Sequence, residues 1–167
     1  LFVYPVCNPT GFEDHTRHSR GGHDLNREFW NHSREPEVIT LQTEMCLHAF
    51  DGVISLHADD TSDGVYGYAR GATITRHLLE PALTAAEEFL PRNRQPCIDG
   101  FAARNGIVRQ CFRGVLSPPP KLRPPPFEII FETPQGAPRL LQQAAAVAAL
   151  RSILEAYRPF IAYAANL

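Results

Sequence analysis

The fold is decided near the start of the chain, where residues 8–27 read NPTGFEDHTRHSRGGHDLNR. Residues 1–7, LFVYPVC, form an apolar run before this stretch, and such a run closed by Asn, Pro and Gly is typical of a strand that enters a turn. Residues 12–32 are rich in His, Arg and Gly and show no period, which indicates an irregular loop. The sequence therefore predicts a strand over residues 1–7 that leads into a loop of unusual composition.

Helical and strand patterns alternate beyond this loop. Helices are expected over 36–50, 73–90, where Pro81 predicts a kink, and 138–157. Strands are expected over 53–57, 107–112 and 127–132, with a loop over 91–106 and an irregular connection over the proline-rich residues 117–126. Alternating strands and helices predict an α/β fold.

Bulk composition narrows the class of protein. With 167 residues, of which 44% are hydrophobic, the chain is expected to form a single domain over residues 1–167. The net charge of -2 gives no electrostatic reason to expect nucleic acid or an anionic membrane as a partner. Four widely spaced cysteines in mostly apolar segments favour buried free thiols, and hence a cytoplasmic location.

The motifs in residues 8–27 resemble those of the zinc carboxypeptidases (the M14 class), which include the digestive enzymes and their bacterial relatives. That family carries Asn-Pro-Asp-Gly-Phe, then an arginine, then Gly-x-Asp-Leu-Asn-Arg-Asn-Phe, and this chain differs at Thr10 and Glu28. The resemblance implies a three-layer α/β/α fold with a mixed, mostly parallel sheet, incomplete at its N-terminus. It also extends to the aspartoacylase and succinylglutamate desuccinylase branch, which shares Asp-Leu-Asn-Arg.

The resemblance assigns the substrate clamp to three residues. Asn26 and Arg27 would bind the terminal carboxylate of the substrate, and Arg17 would bind substrate and polarise the carbonyl of the bond that is cleaved. Such recognition suits arginine because its planar guanidinium donates two parallel hydrogen bonds to a carboxylate.

Two further residues follow from the same resemblance. His57 ends a predicted buried strand about thirty residues after the clamp, where the family keeps its third zinc ligand. Glu132 ends another strand and would be the general base. Glu128 is its rival on the same strand face, but the position of Glu132 before Thr133 and Pro134 favours Glu132.

The zinc ligand set is incomplete, because the family's His-x-x-Glu motif lies upstream of the Asn-Pro-Asp-Gly-Phe stretch. Two further zinc ligands are therefore expected upstream of Leu1. Alternatively, His15, His18 and His23 bind metal in their place. Tyr66 and Tyr68 do not match the mobile tyrosine of the digestive enzymes, so no role is carried over to them.

Three functions are compatible with these residues. The first is a zinc-dependent hydrolase that cleaves the C-terminal amide bond of peptides. The second is an N-acyl amino acid deacylase, because a carboxylate clamp also serves such substrates. The third is a non-catalytic carboxylate-binding homologue that has lost its metal site. The Asn-Pro-x-Gly-Phe motif favours the first.

Overall fold

The computed structural model describes residues 1–164 and consists of five α-helices and a six-stranded sheet. The helices are α1 (Pro9–Glu13), α2 (Pro36–His48), α3 (Ala72–Ile74), α4 (Glu80–Ala86) and α5 (Arg139–Ala164). The strands are β1 (Gly52–Asp59), β2 (Tyr66–Ala69), β3 (Cys97–Ile98), β4 (Phe101–Arg104), β5 (Ile107–Val108) and β6 (Phe127–Pro134).

The strands form one mixed sheet in the order β1-β6-β2-β5-β4-β3. β2 pairs with β5 in parallel, whereas the pairs β2–β6, β4–β5 and β3–β4 are antiparallel. The predicted α/β class and mixed sheet are confirmed. Among the pairs with a described register, antiparallel pairing is more frequent than the mostly parallel sheet that we expected.

The chain divides into two compact units. The N-terminal unit contains residues 1–53 and 112–126, and the C-terminal unit contains residues 54–111 and 127 onward. The expectation of a single domain stays a prediction.

The core of the N-terminal unit forms around α2. Val38, Leu41 and Met45 are spaced three and four residues apart, so they share one helix face, and they are buried with Leu25 and Phe29. Pro36 occupies the first turn, where its missing N–H costs nothing, and the helix ends before Ala49, which has a left-handed φ of 44°. The helix predicted over 36–50 is therefore confirmed, and its packing anchors the loop that contains Leu25.

The core of the C-terminal unit forms between the sheet and the helices α4 and α5. Ile129 and Phe131 from β6 are fully buried among apolar side chains of both helices. Gly67 in β2 permits this packing, because a Cβ there would lie 2.7 Å from a methyl group of Leu79 and 2.8 Å from the carbonyl oxygen of Ile130. The strands predicted over 53–57 and 127–132 are confirmed, and each extends two residues further.

The strand predicted over residues 1–7 is wrong. This segment forms neither helix nor strand, and Leu1 and Val3 are 88% and 71% exposed. Its side chains find local contacts instead, since Phe2 packs against the rings of His48 and Phe50. Strand propensity reflects packing against sheet neighbours, and these residues have no ladder partner within the described chain.

Three other predictions differ in detail. The loop predicted over 91–106 contains the hairpin β3–β4, and the strand predicted over 107–112 shortens to β5. The kink predicted at Pro81 is replaced by a π-helical turn over Thr75–Leu79, which places Pro81 in the first turn of α4. The last helix, predicted over 138–157, is longer than expected and continues through Pro159.

None of the helices within the described residues combines the length and the apolar character that crossing a membrane requires.

Candidate functional site

Asn8 organises the beginning of the loop that carries the predicted clamp. Its Oδ1 accepts a hydrogen bond of 2.9 Å from the backbone N–H of Gly11 and so caps α1. Its Nδ2 donates at 3.2 Å to the carbonyl oxygen of Arg17. A Cβ at Gly11 would overlap the Asn8 amide, so this position requires glycine. The Asn-Pro-Thr-Gly stretch therefore fixes the backbone at Arg17.

Asp24 connects two of the predicted clamp residues. Its Oδ2 accepts a charge-assisted hydrogen bond of 2.9 Å from Nε of Arg17, and its Oδ1 accepts one of 3.0 Å from the backbone N–H of Asn26. The second bond caps the 3-10 turn Leu25–Arg27. One carboxylate thus holds the Arg17 side chain next to the turn that contains Asn26 and Arg27.

The Asn26 side chain has a defined orientation. Its Oδ1 accepts a hydrogen bond of 2.7 Å from the backbone N–H of Leu116, so the carbonyl end of the amide is used inside the unit. The other end, Nδ2, is therefore the donor end. A side-chain NH2 that has this orientation is suited to an anionic acceptor such as a carboxylate.

Arg27 is held by the segment that follows residue 111. Its guanidinium carbon lies 4.3 Å from the centre of the Phe112 ring, which is a cation–π contact, and its Nη1 donates at 2.7 Å to the carbonyl oxygen of Asn26. Gly114 packs directly on the Arg27 backbone and has a φ of 74°. The guanidinium is half-buried and oriented, which reduces the entropy lost when it binds a ligand.

The histidines of this loop do not gather around a common point. His23 pairs through Nδ1 with Oε1 of Glu35 at 2.7 Å, and this hydrogen bond raises the pKa of His23. Hydrogen bonds with Ser19 first and with His23 second lower the pKa of Glu35. Ser19, which is buried, accepts a backbone hydrogen bond from His23 through its hydroxyl. His23 therefore fastens the loop, and the alternative in which His15, His18 and His23 form a metal site is not supported.

His57 lies in β1 of the C-terminal unit. Its Nε2 is 2.6 Å from the hydroxyl oxygen of the buried Ser55, and its carbonyl oxygen accepts a hydrogen bond of 3.1 Å from Thr133. The prediction that His57 ends its strand is wrong by two residues, because β1 continues to Asp59. Pairing continues because the backbone N–H of Gln135 donates to Asp59 at 2.7 Å.

Glu132 lies in β6, next to β1 in the sheet, and is directly opposite Tyr66 of β2. It does not end its strand as predicted, since β6 continues to Pro134. Both tyrosines near it are buried, and burial first, with the charge of Glu132 as a further cause, raises the pKa of Tyr66 and of Tyr68. Glu132 is thus next to two phenols that keep their protons.

Asp99 is a residue of this region that sequence analysis missed. Its Oδ2 accepts hydrogen bonds from the phenols of Tyr68 at 2.5 Å and Tyr66 at 3.2 Å, and Tyr66 also donates to Asp59 at 2.9 Å. Asp99 and Gly100 form the two-residue turn of the hairpin β3–β4, both with positive φ. The Asp-Gly pair is a signal for the hairpin, but no local signal indicates that the carboxylate reaches two tyrosines.

The predicted site residues therefore fall into two groups. Arg17, Asn26 and Arg27 are brought together in the N-terminal unit through Asp24, and His57 and Glu132 lie on neighbouring strands in the C-terminal unit. No three His, Cys, Asp or Glu side chains of the described residues are grouped so as to hold a metal ion. His57 alone does not fit a metal ion, since a zinc site takes three or four protein ligands.

Comparison with known structures identifies proteins of the same fold. The chain is similar to three proteins from Shewanella, each provisionally named a metallopeptidase. The protein from Shewanella amazonensis is 20% identical with a TM-score of 0.78, and the match covers 90% of this chain and 61% of that one. The protein from Shewanella denitrificans is 23% identical with a TM-score of 0.76, and the match covers 90% of this chain and 58% of that one. The protein from Shewanella baltica is 21% identical with a TM-score of 0.77, and the match covers 90% of this chain and 61% of that one.

These matches show the fold, and the chain spans about three fifths of the length of the proteins that it matches. No protein-family model matches the sequence, and no curated protein matches it.

Proposed function

We propose that this chain, which has the fold of proteins provisionally named metallopeptidases, belongs to a zinc-dependent carboxypeptidase-type hydrolase. Its substrate would be a peptide with a free C-terminal carboxylate, and the reaction would be hydrolysis of the last amide bond. The observation that carries the proposal is the oriented Asn26–Arg27 pair.

The carboxylate clamp is supported by the hydrogen bonds that fix it. Asn26 keeps its amide NH2 as a donor because Oδ1 accepts from Leu116, and Arg27 is oriented by the Phe112 ring and the Asn26 carbonyl. A carboxylate can accept from an amide and a guanidinium at once, and such charge-assisted hydrogen bonds contribute about 1.5–3 kcal/mol each. A substrate amide in place of the acid would forfeit most of that contribution.

Arg17 and Glu132 would act on the bond that is cleaved. Arg17 pairs with Asp24 through Nε, and its terminal nitrogens would polarise the substrate carbonyl. Glu132 would take a proton from the attacking water and return it to the leaving amine. The neighbouring Tyr66 and Tyr68 keep their protons, so a carboxylate is the group in this part of the sheet that is suited to act as a base.

The proposed reaction requires a metal ion, although the described residues do not form a complete metal site. Zinc is the ion that the sequence resemblance implies, and His57 is the candidate ligand within the chain. A complete zinc site needs ligands in addition to those that the described residues group together. No catalytic step is therefore assigned to zinc, and the roles above are those of the chain's own side chains.

The test is a hydrolysis assay of the whole hydrolase to which this chain is proposed to belong, with three matched substrates, with added zinc and with chelator. The substrates are an N-blocked dipeptide, its C-terminal amide, and N-acetyl-aspartate. We expect turnover of the free acid only, and a loss of about 10²-fold or more in kcat in Glu132→Gln. The exposed Glu155→Gln is the matched control and should keep full activity.

Each other result would overturn the proposal in favour of a different function. Turnover of N-acetyl-aspartate without turnover of the dipeptide would identify a deacylase. Binding of the free acid that persists in chelator, without hydrolysis at any zinc concentration, would identify a non-catalytic carboxylate-binding protein.

A further inference from the structure

Two buried tyrosines of β2, Tyr66 and Tyr68, lie on the face of the sheet that is turned away from α4 and α5. Gly67, between them, is paired with Phe131, which belongs to the core beneath these helices. Because side chains alternate along a strand, the two tyrosines point to the other face. Tyr66 is directly opposite Glu132 of β6, and the side chains of paired residues share a face. Both phenols therefore lie on the same side of the sheet as the proposed base.

Aspartates accept the hydrogens of these phenols. Each phenol has a single hydrogen to donate. Tyr68 donates to Oδ2 of Asp99 at 2.5 Å, and Tyr66 lies within 2.9 Å of Oδ2 of Asp59 and 3.2 Å of Oδ2 of Asp99. Burial first, and the hydrogen bond with Asp99 second, raise the pKa of Tyr68. Both phenol hydrogens are thus held by carboxylates in a part of the sheet where water has little access to the rings.

Asp99 reaches the phenols from the turn of the hairpin β3–β4. The φ angles of Asp99 and Gly100 are 51° and 78°, and this turn directs the Asp99 side chain back towards β2. The two tyrosines do not depend on Asp99 equally. Tyr66 has Asp59 as a second acceptor, whereas the bond of Tyr68 goes to Asp99. Loss of the Asp99 carboxylate would therefore affect Tyr68 most.

Glu132 is the carboxylate that would compete for the Tyr68 hydrogen. Its charge contributes to raising the pKa of both phenols, so it is close enough to act on them. A buried hydroxyl that loses its acceptor turns to another one, because an unmatched polar group is costly away from water. A phenol that donated to Glu132 would occupy a carboxylate oxygen and turn the side chain towards β2. The proposed reaction needs that oxygen to accept a proton from the attacking water.

We propose that Asp99 is a positioning residue of the hydrolase: it holds the Tyr68 hydrogen and so keeps this phenol off the Glu132 carboxylate. The inference rests on the proposed function, in which Glu132 is the base. Asp99 itself contacts neither substrate nor the attacking water in this role. What the role requires is an acceptor oxygen at the tip of the hairpin, so asparagine should replace Asp99 through its Oδ1.

The test measures kcat and KM of the whole hydrolase with the N-blocked dipeptide. Asp99→Gly removes the acceptor and suits the positive φ of this position. We expect it to lower kcat by about tenfold with KM unchanged, and Asp99→Asn to keep kcat within about twofold of the unmodified enzyme. The decisive variant combines Asp99→Gly with Tyr68→Phe. It should recover kcat, because the competing hydroxyl is gone, whereas a purely structural loss at Asp99 would not be repaired by removing a second hydroxyl.

A second turn of the chain supplies the matched control. Asn105 lies between β4 and β5 with a φ of 52°, so Asn105→Gly also removes a side chain from a turn residue with positive φ, and it should leave kcat unchanged. A thermal melt establishes that each variant is folded. If Asp99→Gly is not folded, Asp99→Ala takes its place, alone and combined with Tyr68→Phe.

A spectroscopic readout on the full chain requires no turnover. The 13C NMR signal of the Glu132 carboxyl is identified by its absence in Glu132→Gln. This signal should shift in Asp99→Gly, because the carboxyl gains a phenol donor, and return when Tyr68→Phe is added. Asp99→Asn and Asn105→Gly should leave it in place.

Two results would overturn the inference. One is a folded Asp99→Gly variant in which both kcat and the Glu132 carboxyl signal are unchanged. The other is a loss of kcat that Tyr68→Phe does not restore, which would give Asp99 a structural role only. A carboxyl signal that behaves as expected, in a hydrolase that cleaves none of the peptides, would instead refute the proposed function and leave the pairing of Tyr68 with Asp99 intact.

Discussion

Gly114 makes the sharpest structural prediction, because it determines how closely residues 112–116 approach the clamp. A Cβ at this position would overlap the carbonyl group of Arg27, and the φ of 74° is in the left-handed region. For Gly114→Ala, the backbone conformation costs roughly 1–2 kcal/mol, and the overlap adds roughly 1–3 kcal/mol. We therefore expect a loss of about 2–5 kcal/mol in the free energy of unfolding.

The clamp should respond as well as the stability. Relief of the overlap moves residues 112–116 away from Arg27, which weakens the Phe112 contact with its guanidinium and the Leu116 hydrogen bond to Asn26. Affinity for a peptide with a free carboxylate should fall by about tenfold, equivalent to one lost interaction of roughly 1.4 kcal/mol.

A matched control separates the two causes. Gly100 has a φ of 78° with nothing within 4 Å of an added Cβ, so Gly100→Ala carries the backbone cost alone. Urea unfolding measures both variants, and isothermal titration with the peptide measures affinity. If Gly114→Ala were no less stable than Gly100→Ala and bound the peptide normally, the close approach at Arg27 would be refuted.

Three further predictions concern charges that the fold holds in place. The side chain of Arg92 is 2% exposed and forms ion pairs with Glu80 and Glu87, whose side chains are 40% and 29% exposed. Arg92→Met should therefore lower the free energy of unfolding, measured in urea, by about 2–3 kcal/mol, which is less than the loss of a fully buried pair. A loss under about 0.5 kcal/mol would contradict this prediction. The hydrogen bond with Glu35 is the main cause that raises the pKa of His23, so the stabilising contribution of His23 is complete below its ordinary value of 6.5 and is lost as the pH rises through the higher folded value. The difference in unfolding free energy between the unmodified chain and His23→Ala should shrink over that range, and a constant difference would refute the pairing. Burial raises the pKa of Glu128 above its ordinary value of 4.5, so its ionisation opposes folding as the pH rises from 4.5 through the higher folded value. Glu128→Gln should therefore gain stability relative to the unmodified chain over that range, and a pH-independent difference would count against burial of this carboxyl.

Elements with strong periodicity could be predicted from the sequence, because their burial pattern is local. The apolar positions of α2 lie three and four residues apart, and β6 combines β-branched and aromatic residues with a proline that ends it. The run at residues 1–7 has the same local character as a strand, and yet it forms none. Local propensity does not supply the neighbouring strand that a ladder requires.

The site was predictable only in part for the same reason. The resemblance in residues 8–27 assigned Arg17, Asn26 and Arg27 to a clamp, and the short-range hydrogen bonds of Asp24 hold Arg17 next to the turn that contains Asn26 and Arg27. The contact that orients Asn26 joins it to Leu116, 90 residues along the chain, and no local pattern reports such a contact.

The region around Glu132 illustrates a second limit of the sequence. The sequence analysis assigned no role to Tyr66 and Tyr68. The carboxylate that accepts their hydrogen bonds, Asp99, lies 31 residues after Tyr68 in a segment that was predicted to be a loop. Hairpin formation brings Asp99 to the phenols, so the network depends on pairing between β3 and β4. Strand pairing over such short segments carries little sequence signal.

The central claim is that Asn26 and Arg27 form a clamp for a terminal carboxylate. The most direct measurement is the affinity of the chain for one peptide as its free acid and as its C-terminal amide, with and without Arg27→Met. We predict that the acid binds at least tenfold more tightly than the amide, and that Arg27→Met removes this difference while the chain stays folded. Equal affinity of acid and amide for the unmodified chain, or a preference for the acid that survives Arg27→Met, would contradict the account.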